Sequence, residues 1–140
     1  MNINKKKLIV IVGPTASGKT ELSIKISKIF NCDIISADSR QFYKEMSIGT
    51  AKPSIKNLND VKHHFIDNIS IKENYTAGVF SKEVNTFLEQ YFLKNDCIIM
   101  VGGSGLFINS IIYGIDDIPK VPNHIRKDLN DIYINKGLDY

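Results

Sequence analysis

Short apolar runs alternate with helical patterns along this chain. Runs at residues 8–12, 33–36, 61–69 and 97–101 have the length of strands. Continuous β-branched segments such as "LIVIV" are typical of strands that are buried on both faces of a parallel sheet. Helical periodicity lies between these runs at 19–30 and 77–94, and it follows "GGSG" as far as about Gly114. This alternation predicts an α/β fold with a parallel sheet and flanking helices.

The helical patterns predict which side chains face the core. For the three amphipathic helices these are, in chain order, Leu22, Ile26 and Ile29; Phe80, Val84, Phe87, Leu88 and Tyr91; and Ile125, Leu129 and Ile132. Asn31 is expected to end the first helix in a left-handed conformation, and Thr76 is expected to cap the next one. Residues 49–59 are predicted as a loop, because Pro53 interrupts any helix there.

The pattern changes after Gly114. Two prolines, Pro119 and Pro122, indicate a connector, and Asn123 is then placed to cap a helix that runs to about Lys136. We therefore predict an incomplete α/β core over residues 1–114, and a connector with the beginning of a helical domain over 115–140. The last helix has little predicted sheet to pack on, which indicates a truncated chain.

Composition narrows the class of protein only slightly. The chain has 140 residues, of which 43% are hydrophobic and 24% charged, with a formal charge of +3. This composition is typical of a globular domain, and the charge is too small to indicate nucleic-acid binding. Cys32 and Cys97 form no C-x-x-C pair, so two reduced, buried thiols are expected. We expect a cytoplasmic monomer without membrane attachment.

One motif carries a specific chemistry. "GPTASGKT" follows the first predicted strand and opens the first predicted helix, which is the setting of a phosphate-binding loop. Its residues are Gly13, Pro14, Thr15, Ala16, Ser17, Gly18, Lys19 and Thr20. Backbone N–H groups and the helix N-terminus attract phosphate, Lys19 adds a full charge, and Thr20 is placed to bind Mg²⁺ through its hydroxyl.

The acid that usually accompanies such a loop is displaced. The run at 97–101 ends in Gly102 and Gly103, where nucleotide hydrolases place a metal-binding carboxylate. Asp38 follows the second strand instead, and both loops are expected at the same edge of the sheet. Asp38 is a candidate general base or water-mediated metal partner, and turn capping is the alternative. Ser39 and Gln41 are candidates for reading a polar substrate edge.

Two further segments contain side chains that could take part in chemistry. "GGSG" permits close approach and offers the Ser104 hydroxyl, although a tight structural turn explains it equally well. His63 and His64 are adjacent on a predicted strand and therefore face opposite sides, which disfavours a shared metal ion.

Several segments together resemble a known family. "GPTASGKT", "SADSRQFYKEMSIGTAKP", "HHFID", "YTAGVF" and "VGGSGLF" occur in this order, and the set resembles the bacterial tRNA dimethylallyltransferases. The resemblance implies a P-loop, kinase-like core with a helical insertion domain. It implies transfer of a dimethylallyl group from dimethylallyl diphosphate to N6 of the adenosine next to the anticodon, in tRNAs reading codons that begin with U, with help from Mg²⁺.

The resemblance also implies residue roles. Lys19 and the loop amides would stabilise the leaving diphosphate, and Asp38 would accept a hydrogen bond or proton from the adenine amine. Contacts to tRNA would come from Asp38, Ser39, Arg40, Gln41, Ser104 and Arg126. Ser104, which is implied as a catalytic residue beside Asp38 and Lys19, stands where the family usually has threonine and keeps the hydroxyl. Phe107 stands where tyrosine is common and lacks the phenolic hydroxyl. Because family members are about twice as long, much of the tRNA-binding part is expected to be absent and full activity is not expected.

Two other functions explain part of these features. A small-molecule kinase of the P-loop type would use the same loop, with Asp38 as the base that activates a hydroxyl. It leaves "GTAKP" and "HHFID" unexplained, and no arginine-rich lid segment is evident. A non-catalytic remnant that binds diphosphate is the third possibility.

Overall fold

The computed structural model describes residues 5–116, 119 and 121–138, with four strands and five helices among them. They are, in chain order, β1 (Lys7–Val12), α1 (Lys19–Phe30), β2 (Ile34–Ser36), α2 (Ile55–Asp60), β3 (His63–His64), α3 (Ala77–Tyr91), β4 (Cys97–Gly102), α4 (Gly105–Ile112) and α5 (Asn123–Lys136).

The strands form one parallel sheet in the order β1-β4-β2-β3. The last strand in the sequence is inserted between β1 and β2, with Lys7 paired to Cys97 and Val12 to Gly102. The predicted α/β fold with a parallel sheet is therefore confirmed. Since all strands run the same way, the segments that follow β1, β2 and β4 leave from the same edge.

Each face of the sheet has its own apolar cluster. The larger cluster, under α3 and α4, is rich in aromatic side chains and contains the fully buried Phe42 and Phe80. Their rings stack with centroids 5.1 Å apart. The smaller cluster, under α1, contains Ile24, Ile34 and Ile99. The α3 face is as predicted, and Thr76 caps that helix by accepting a hydrogen bond from the Val79 amide.

Helix α1 has the predicted bounds and its predicted left-handed Asn31, but a different buried face. Leu22 and Ile29 are exposed, whereas Ser23, Ile24 and Ser27 face the sheet. Ile26 is partly buried and packs on the smaller cluster, so the predicted apolar face is confirmed for Ile26 and wrong for Leu22 and Ile29. The Ser23 hydroxyl donates to the Thr20 carbonyl, at 2.9 Å, and the Ser27 hydroxyl donates to the Cys32 carbonyl. Because both hydroxyls are satisfied, the two small residues are buried at little cost.

Residues 49–69 differ from the prediction in two ways. Helix α2 forms inside the predicted loop, because Ser54 caps it after Pro53 and accepts a hydrogen bond from the Asn57 amide. The predicted strand at 61–69 is reduced to His63–His64. Phe65 and Asp67 have φ angles of 61° and 53°, and this left-handed conformation ends the strand.

Helix α5 has the predicted range, but Pro122 rather than Asn123 occupies the capping position. Its predicted inward side chains are wrong: Ile125, Leu129 and Ile132 are all exposed. No element of the described chain covers this stripe extensively. Part of the predicted connector (residues 117, 118 and 120) lies outside the described residues, and the boundary at residue 114 stays a prediction.

Both cysteines are free thiols, with Cys32 buried and Cys97 partly buried. Burial, reinforced by the neighbouring Cys97, raises the pKa of Cys32 to about 12, so its thiol stays protonated at neutral pH. None of the described helices is both long and apolar enough to span a bilayer.

Candidate active site

The phosphate-binding loop lies between β1 and α1. Gly18 has a φ of +81° immediately before the first residue of α1, a conformation that a side chain would strain. Ala16 is also left-handed, with a φ of 63°. Left-handed residues in a short loop turn neighbouring N–H groups toward one side, which creates an anion-binding concavity. The Ser17 hydroxyl closes the loop by donating to the Pro14 carbonyl, at 2.8 Å.

Lys19 bends over this loop. Its Nζ donates to the Pro14 carbonyl, at 2.5 Å, and lies 3.4 Å from the Ser17 hydroxyl. A phosphate in the loop would offer this ammonium a charged acceptor, which makes a stronger hydrogen bond than a carbonyl. Thr20 follows in the first turn of α1 and lines the same cavity as the loop residues 15–19; this cavity is described below.

Asp38 begins the turn that follows β2. Its Oδ1 accepts a hydrogen bond from the Arg40 amide at 3.0 Å, and its carbonyl accepts one from the Gln41 amide at 2.9 Å. The capping alternative is thus confirmed for one carboxylate oxygen. Asp38 also lines the cavity that contains the phosphate-binding loop, so capping and chemistry are compatible.

The end of β4 presses against the start of this turn. A Cβ at Gly102 would lie 2.2 Å from the Ala37 carbonyl oxygen, so only glycine fits there. Two backbone hydrogen bonds, Ala37 N–H to the Val101 carbonyl (2.8 Å) and Ser104 N–H to the Ala37 carbonyl (3.3 Å), join the segments. The Ser104 hydroxyl accepts from the Ser39 amide at 2.9 Å. "GGSG" is therefore a tight turn that ties the third loop to the second.

These segments line one cavity of about 630 Å³. It brings together Lys19 and Thr20 from the phosphate-binding loop, Asp38 after β2, and Gly102 at the end of β4. The cavity is lined further by Ala51, Pro53, Asn57 and His63. As expected from a parallel sheet, one edge assembles a phosphate site, a carboxylate and a close backbone approach.

Known proteins resemble this chain in sequence and in fold. The model of the IPP transferase family matches residues 41–140. The tRNA dimethylallyltransferase of Flavobacterium johnsoniae is 51% identical over 135 residues, covering 96% of this chain and 44% of that protein. The chain belongs to the IPP transferase family. It spans less than half the length of the curated relatives that it matches.

Solved structures agree with this assignment. The tRNA isopentenylpyrophosphate transferase of Bacillus halodurans has a TM-score of 0.77 at 32% identity, over 96% of this chain and 45% of that one. A eukaryotic dimethylallyltransferase, captured in crystals acting on tRNA, has a TM-score of 0.76 at 26% identity, over 97% and 38%. The predicted P-loop core is therefore confirmed for this IPP transferase chain.

Some predicted site residues of this IPP transferase chain lie away from the cavity. Ser39, Arg40 and Ser104 are not among its lining residues, although Asp38 is. The Ser104 hydroxyl donates to the Ser39 hydroxyl at 3.2 Å. Gly13 and Pro14 line a neighbouring cleft of about 360 Å³ that shares Gly102 and Gly103. Arg126 is exposed on α5, and its tRNA contact stays a prediction.

Gln41 is buried, and its side chain bonds inside the protein. Its Oε1 accepts from the Ser36 hydroxyl at 2.8 Å, and its Nε2 donates to the Ala51 carbonyl at 3.1 Å and to the Thr50 carbonyl at 3.3 Å. Gln41 therefore fastens the "GTAKP" segment of the IPP transferase chain to the edge of the sheet. The sequence identified that segment as a motif but offered no signal for this contact.

The two histidines face opposite sides of the sheet, as predicted. His64 approaches the Asp33 carboxylate at 2.7 Å and packs on Phe87, whereas His63 lines the cavity. The His63 Nδ1–H donates to the Val61 carbonyl, and Nε2 is buried without a hydrogen-bond partner among the described residues. Burial lowers the pKa of His63, which favours the neutral ring.

Proposed function

We propose that this chain carries the catalytic core of a tRNA dimethylallyltransferase. It transfers a dimethylallyl group from dimethylallyl diphosphate to N6 of the adenosine 3′-adjacent to the anticodon, in tRNAs reading codons that begin with U. One observation carries the proposal: Lys19 and Asp38 line the same cavity, while β4 ends in Gly102 instead of a carboxylate. The site can hold a diphosphate and deprotonate a nucleophile beside it.

The phosphate-binding loop, from Gly13 to Thr20, holds the diphosphate. Its amides and the Lys19 ammonium stabilise the charge that develops on the diphosphate oxygen as the bond to carbon breaks. Such preorganised donors supply a large share of catalysis in a site that excludes water. In this role the diphosphate leaves as a whole, and no phosphoryl group moves.

Mg²⁺ fits the oxygen atoms that the cavity offers. The Thr20 hydroxyl and the Asp38 carboxylate line it together, and both are hard oxygen donors. Among the residues that the structure describes, no group of three or more His, Cys, Asp or Glu side chains is placed to hold a metal. We propose that Thr20 contributes the direct ligand, with Asp38 at most a water-mediated one, since Mg²⁺ keeps several waters and binds largely through substrate phosphates. When bound, it neutralises charge on the diphosphate.

Asp38 acts as the base. N6 of the adenine forms a bond to C1 of the dimethylallyl group, the C1–O bond breaks, and its electron pair leaves with the diphosphate. The amine then carries an extra proton, which Asp38 accepts. Because Oδ1 already accepts the Arg40 amide, the second carboxylate oxygen is the one available for this proton.

The tRNA is held beside this carboxylate. An enzyme that modifies a base must take it out of the stack, so the turn from Asp38 to Gln41 and Ser104 is proposed to lie against the extruded nucleotide. Arg40 and Arg126 are both exposed, and we propose that they contact the RNA backbone. We also propose that the protein is monomeric and cytoplasmic.

A small-molecule kinase is not favoured. The curated relatives that match this chain carry the name tRNA dimethylallyltransferase. A kinase would move a phosphoryl group to an acceptor, whereas the proposed reaction breaks a carbon–oxygen bond. The two reactions therefore leave the label on different products.

The test is to incubate the chain with labelled dimethylallyl diphosphate and an anticodon stem-loop, and in parallel with ATP and candidate hydroxyl acceptors. We expect label on the adenine of the stem-loop and none from ATP on the acceptors. Phosphoryl transfer would contradict the proposal. A chain that binds pyrophosphate but transfers nothing would refute a catalytic role for this chain.

A further inference from the structure

Part of the cavity wall has no regular secondary structure. Ala51 and Pro53 line the cavity from the segment before α2, and Ala51 has a left-handed φ of 50°. Phe65 and Asp67, which follow β3, are left-handed as well. Residues in this conformation persist only where surrounding contacts hold them. These two segments, "GTAKP" and "HHFID", also have no part in the proposed chemistry.

An ion pair joins the two segments, and only its lysine is shielded from solvent. The Lys52 side chain is 11% exposed and that of Asp67 48% exposed, and Lys52 Nζ lies 2.5 Å from Asp67 Oδ1. The same Nζ donates to the Tyr43 carbonyl at 2.7 Å. The two partners are not equivalent. Removing Asp67 would leave the shielded Lys52 ammonium without its counter-charge, whereas removing the Lys52 charge leaves Asp67 in contact with water and takes this donor from the Tyr43 carbonyl.

The pair is connected to Asp38 through Gln41. The Asp67 amide donates to the Gln41 carbonyl at 3.0 Å, and the Gln41 amide donates to the Asp38 carbonyl at 2.9 Å. The Gln41 side chain returns to the segment before Lys52 by donating to the Ala51 carbonyl at 3.1 Å. Lys52, Asp67 and Gln41 therefore close a ring of contacts around the turn that presents Asp38.

We propose that Lys52 and Asp67 are positioning residues for Asp38. Their ion pair fixes the Gln41 end of the turn. The turn then holds the Asp38 carboxylate beside the phosphate-binding loop. The loop itself is held by its own contacts, from Ser17 and Lys19 to Pro14. Loss of the pair should therefore displace the base and spare the diphosphate site. The catalytic consequence rests on the proposed function; the positioning does not.

Hydrogen exchange tests the positioning without any turnover. In Lys52→Met the aliphatic stem is kept and the charge is removed, and we expect the Arg40 and Gln41 amides to exchange about tenfold faster. The Leu22 amide, which bonds Gly18 in α1, should be unchanged. Lys6→Met is the matched control, because Lys6 also bonds one carbonyl and one carboxylate, those of Asn95 and Asp96, at the opposite edge of the sheet.

Binding and rescue complete the test. Pyrophosphate affinity should be the same in Lys52→Met as in the unchanged chain, and Lys52→Arg should recover most of the amide protection. If exchange rises equally throughout the chain, or if pyrophosphate binding falls with it, the pair is a general stabiliser and the inference is wrong. Unchanged exchange at Arg40 and Gln41 would overturn it as well.

Turnover separates the inference from the proposed function. We expect kcat for prenyl transfer to fall about 10- to 100-fold in Lys52→Met with KM for dimethylallyl diphosphate unchanged, since a misplaced catalytic group slows the chemical step. A raised KM at constant kcat would contradict the positioning role. If the unchanged chain transfers nothing and the amides still respond to Lys52→Met, the proposed function fails and the positioning of Asp38 stands.

Discussion

The phosphate-binding loop lines the candidate active site, as do Ala51 and Pro53 of the segment at residues 50–54, which Lys52 joins to residues 65–67. Residues 50–54 and 65–67 are called the wall below, and the loop and the wall are built by opposite means. The loop is glycine-rich and contacts mainly itself: Ser17 and Lys19 both bond the Pro14 carbonyl. The wall has long-range partners, because Gln41 reaches Ala51 and Lys52 reaches Asp67. The loop is therefore held by contacts between residues close together in sequence, whereas the wall is held by the side chains of Gln41 and Lys52, which reach more distant positions.

The loop and the wall should respond differently to substitutions. A loop that is held by local bonds is expected to bind diphosphate even when its surroundings change. A wall that is held by side chains from distant positions is sensitive to single substitutions, and Asp38 lies between the two. Binding and chemistry should therefore be separable by mutation, with the loop controlling the first and Asp38 the second.

The largest separation is expected for Asp38→Asn. The amide keeps the shape but cannot accept the amine proton, so prenyl transfer should fall about 10²- to 10⁴-fold. Pyrophosphate affinity, measured by calorimetry, should stay the same. Asp96→Asn, at the other edge of the sheet, is the control for loss of a carboxylate. An equal loss of affinity and transfer would make Asp38 a metal ligand or a structural residue instead.

The converse change is Lys19→Met, which acts on the loop. Hydrogen bonds between charged partners are worth about 1.5–3 kcal/mol, so pyrophosphate should bind roughly 10- to 100-fold more weakly. Lys82→Met provides the control, because Lys82 is exposed on α3 at the other face of the sheet. Affinity that does not change in Lys19→Met would refute the role of the loop.

The close approach of β4 to the turn that presents Asp38, between the two regions, is tested by Gly102→Ala. The added Cβ would collide with the Ala37 carbonyl, and the free energy of unfolding in urea should fall by about 1–3 kcal/mol. Gly105→Ala is the matched control, since nothing lies within 4 Å of a Cβ there and alanine favours the helix. Equal stability of the two variants would show that the close approach at Gly102 is unimportant.

The smallest expected effect concerns pH and His63, which lines the cavity just before the wall residues 65–67. Burial lowers the pKa of His63 below its ordinary value of 6.5, so the unfolded chain binds this proton more readily than the folded chain. The contribution to stability is complete above pH 6.5 and is lost as the pH falls toward the folded pKa. Urea denaturation between pH 7 and about 5 should show a shallower loss of stability in His63→Gln than in the unchanged chain. If the free energy of unfolding falls with pH equally steeply in both proteins, this role of His63 is wrong.

The same contrast explains what the sequence could predict. Local signals were sufficient for the phosphate-binding loop, for the bounds of α1 and α5, and for the Thr76 cap, because each depends on neighbouring residues. The grouping of the loop with Asp38 also followed, since parallel strands end at one edge. The contacts of the wall could not be predicted from the sequence, because the Lys52–Asp67 and Gln41–Ala51 contacts join positions that are not neighbours along the chain.

The sequence also failed to predict which side chains of α1 and α5 are buried. Periodicity assigns apolar residues to the core, but α1 buries Ser23 and Ser27, whose hydroxyls find local carbonyls. The apolar stripe of α5 was assigned inward although no described element packs closely on it. The left-handed residues that shorten β3, Phe65 and Asp67, are not glycines and gave no signal.

In the proposed reaction a whole diphosphate leaves this site, and a label in the bridging oxygen shows which bond breaks. Dimethylallyl diphosphate carrying a heavy oxygen isotope between C1 and phosphorus is incubated with the chain and an anticodon stem-loop, and the products are weighed by mass spectrometry. We expect the isotope to leave in the diphosphate while the adenine gains an unlabelled dimethylallyl group. An isotope that stays with the dimethylallyl group would mean that the phosphorus–oxygen bond breaks, and the proposed reaction would be wrong.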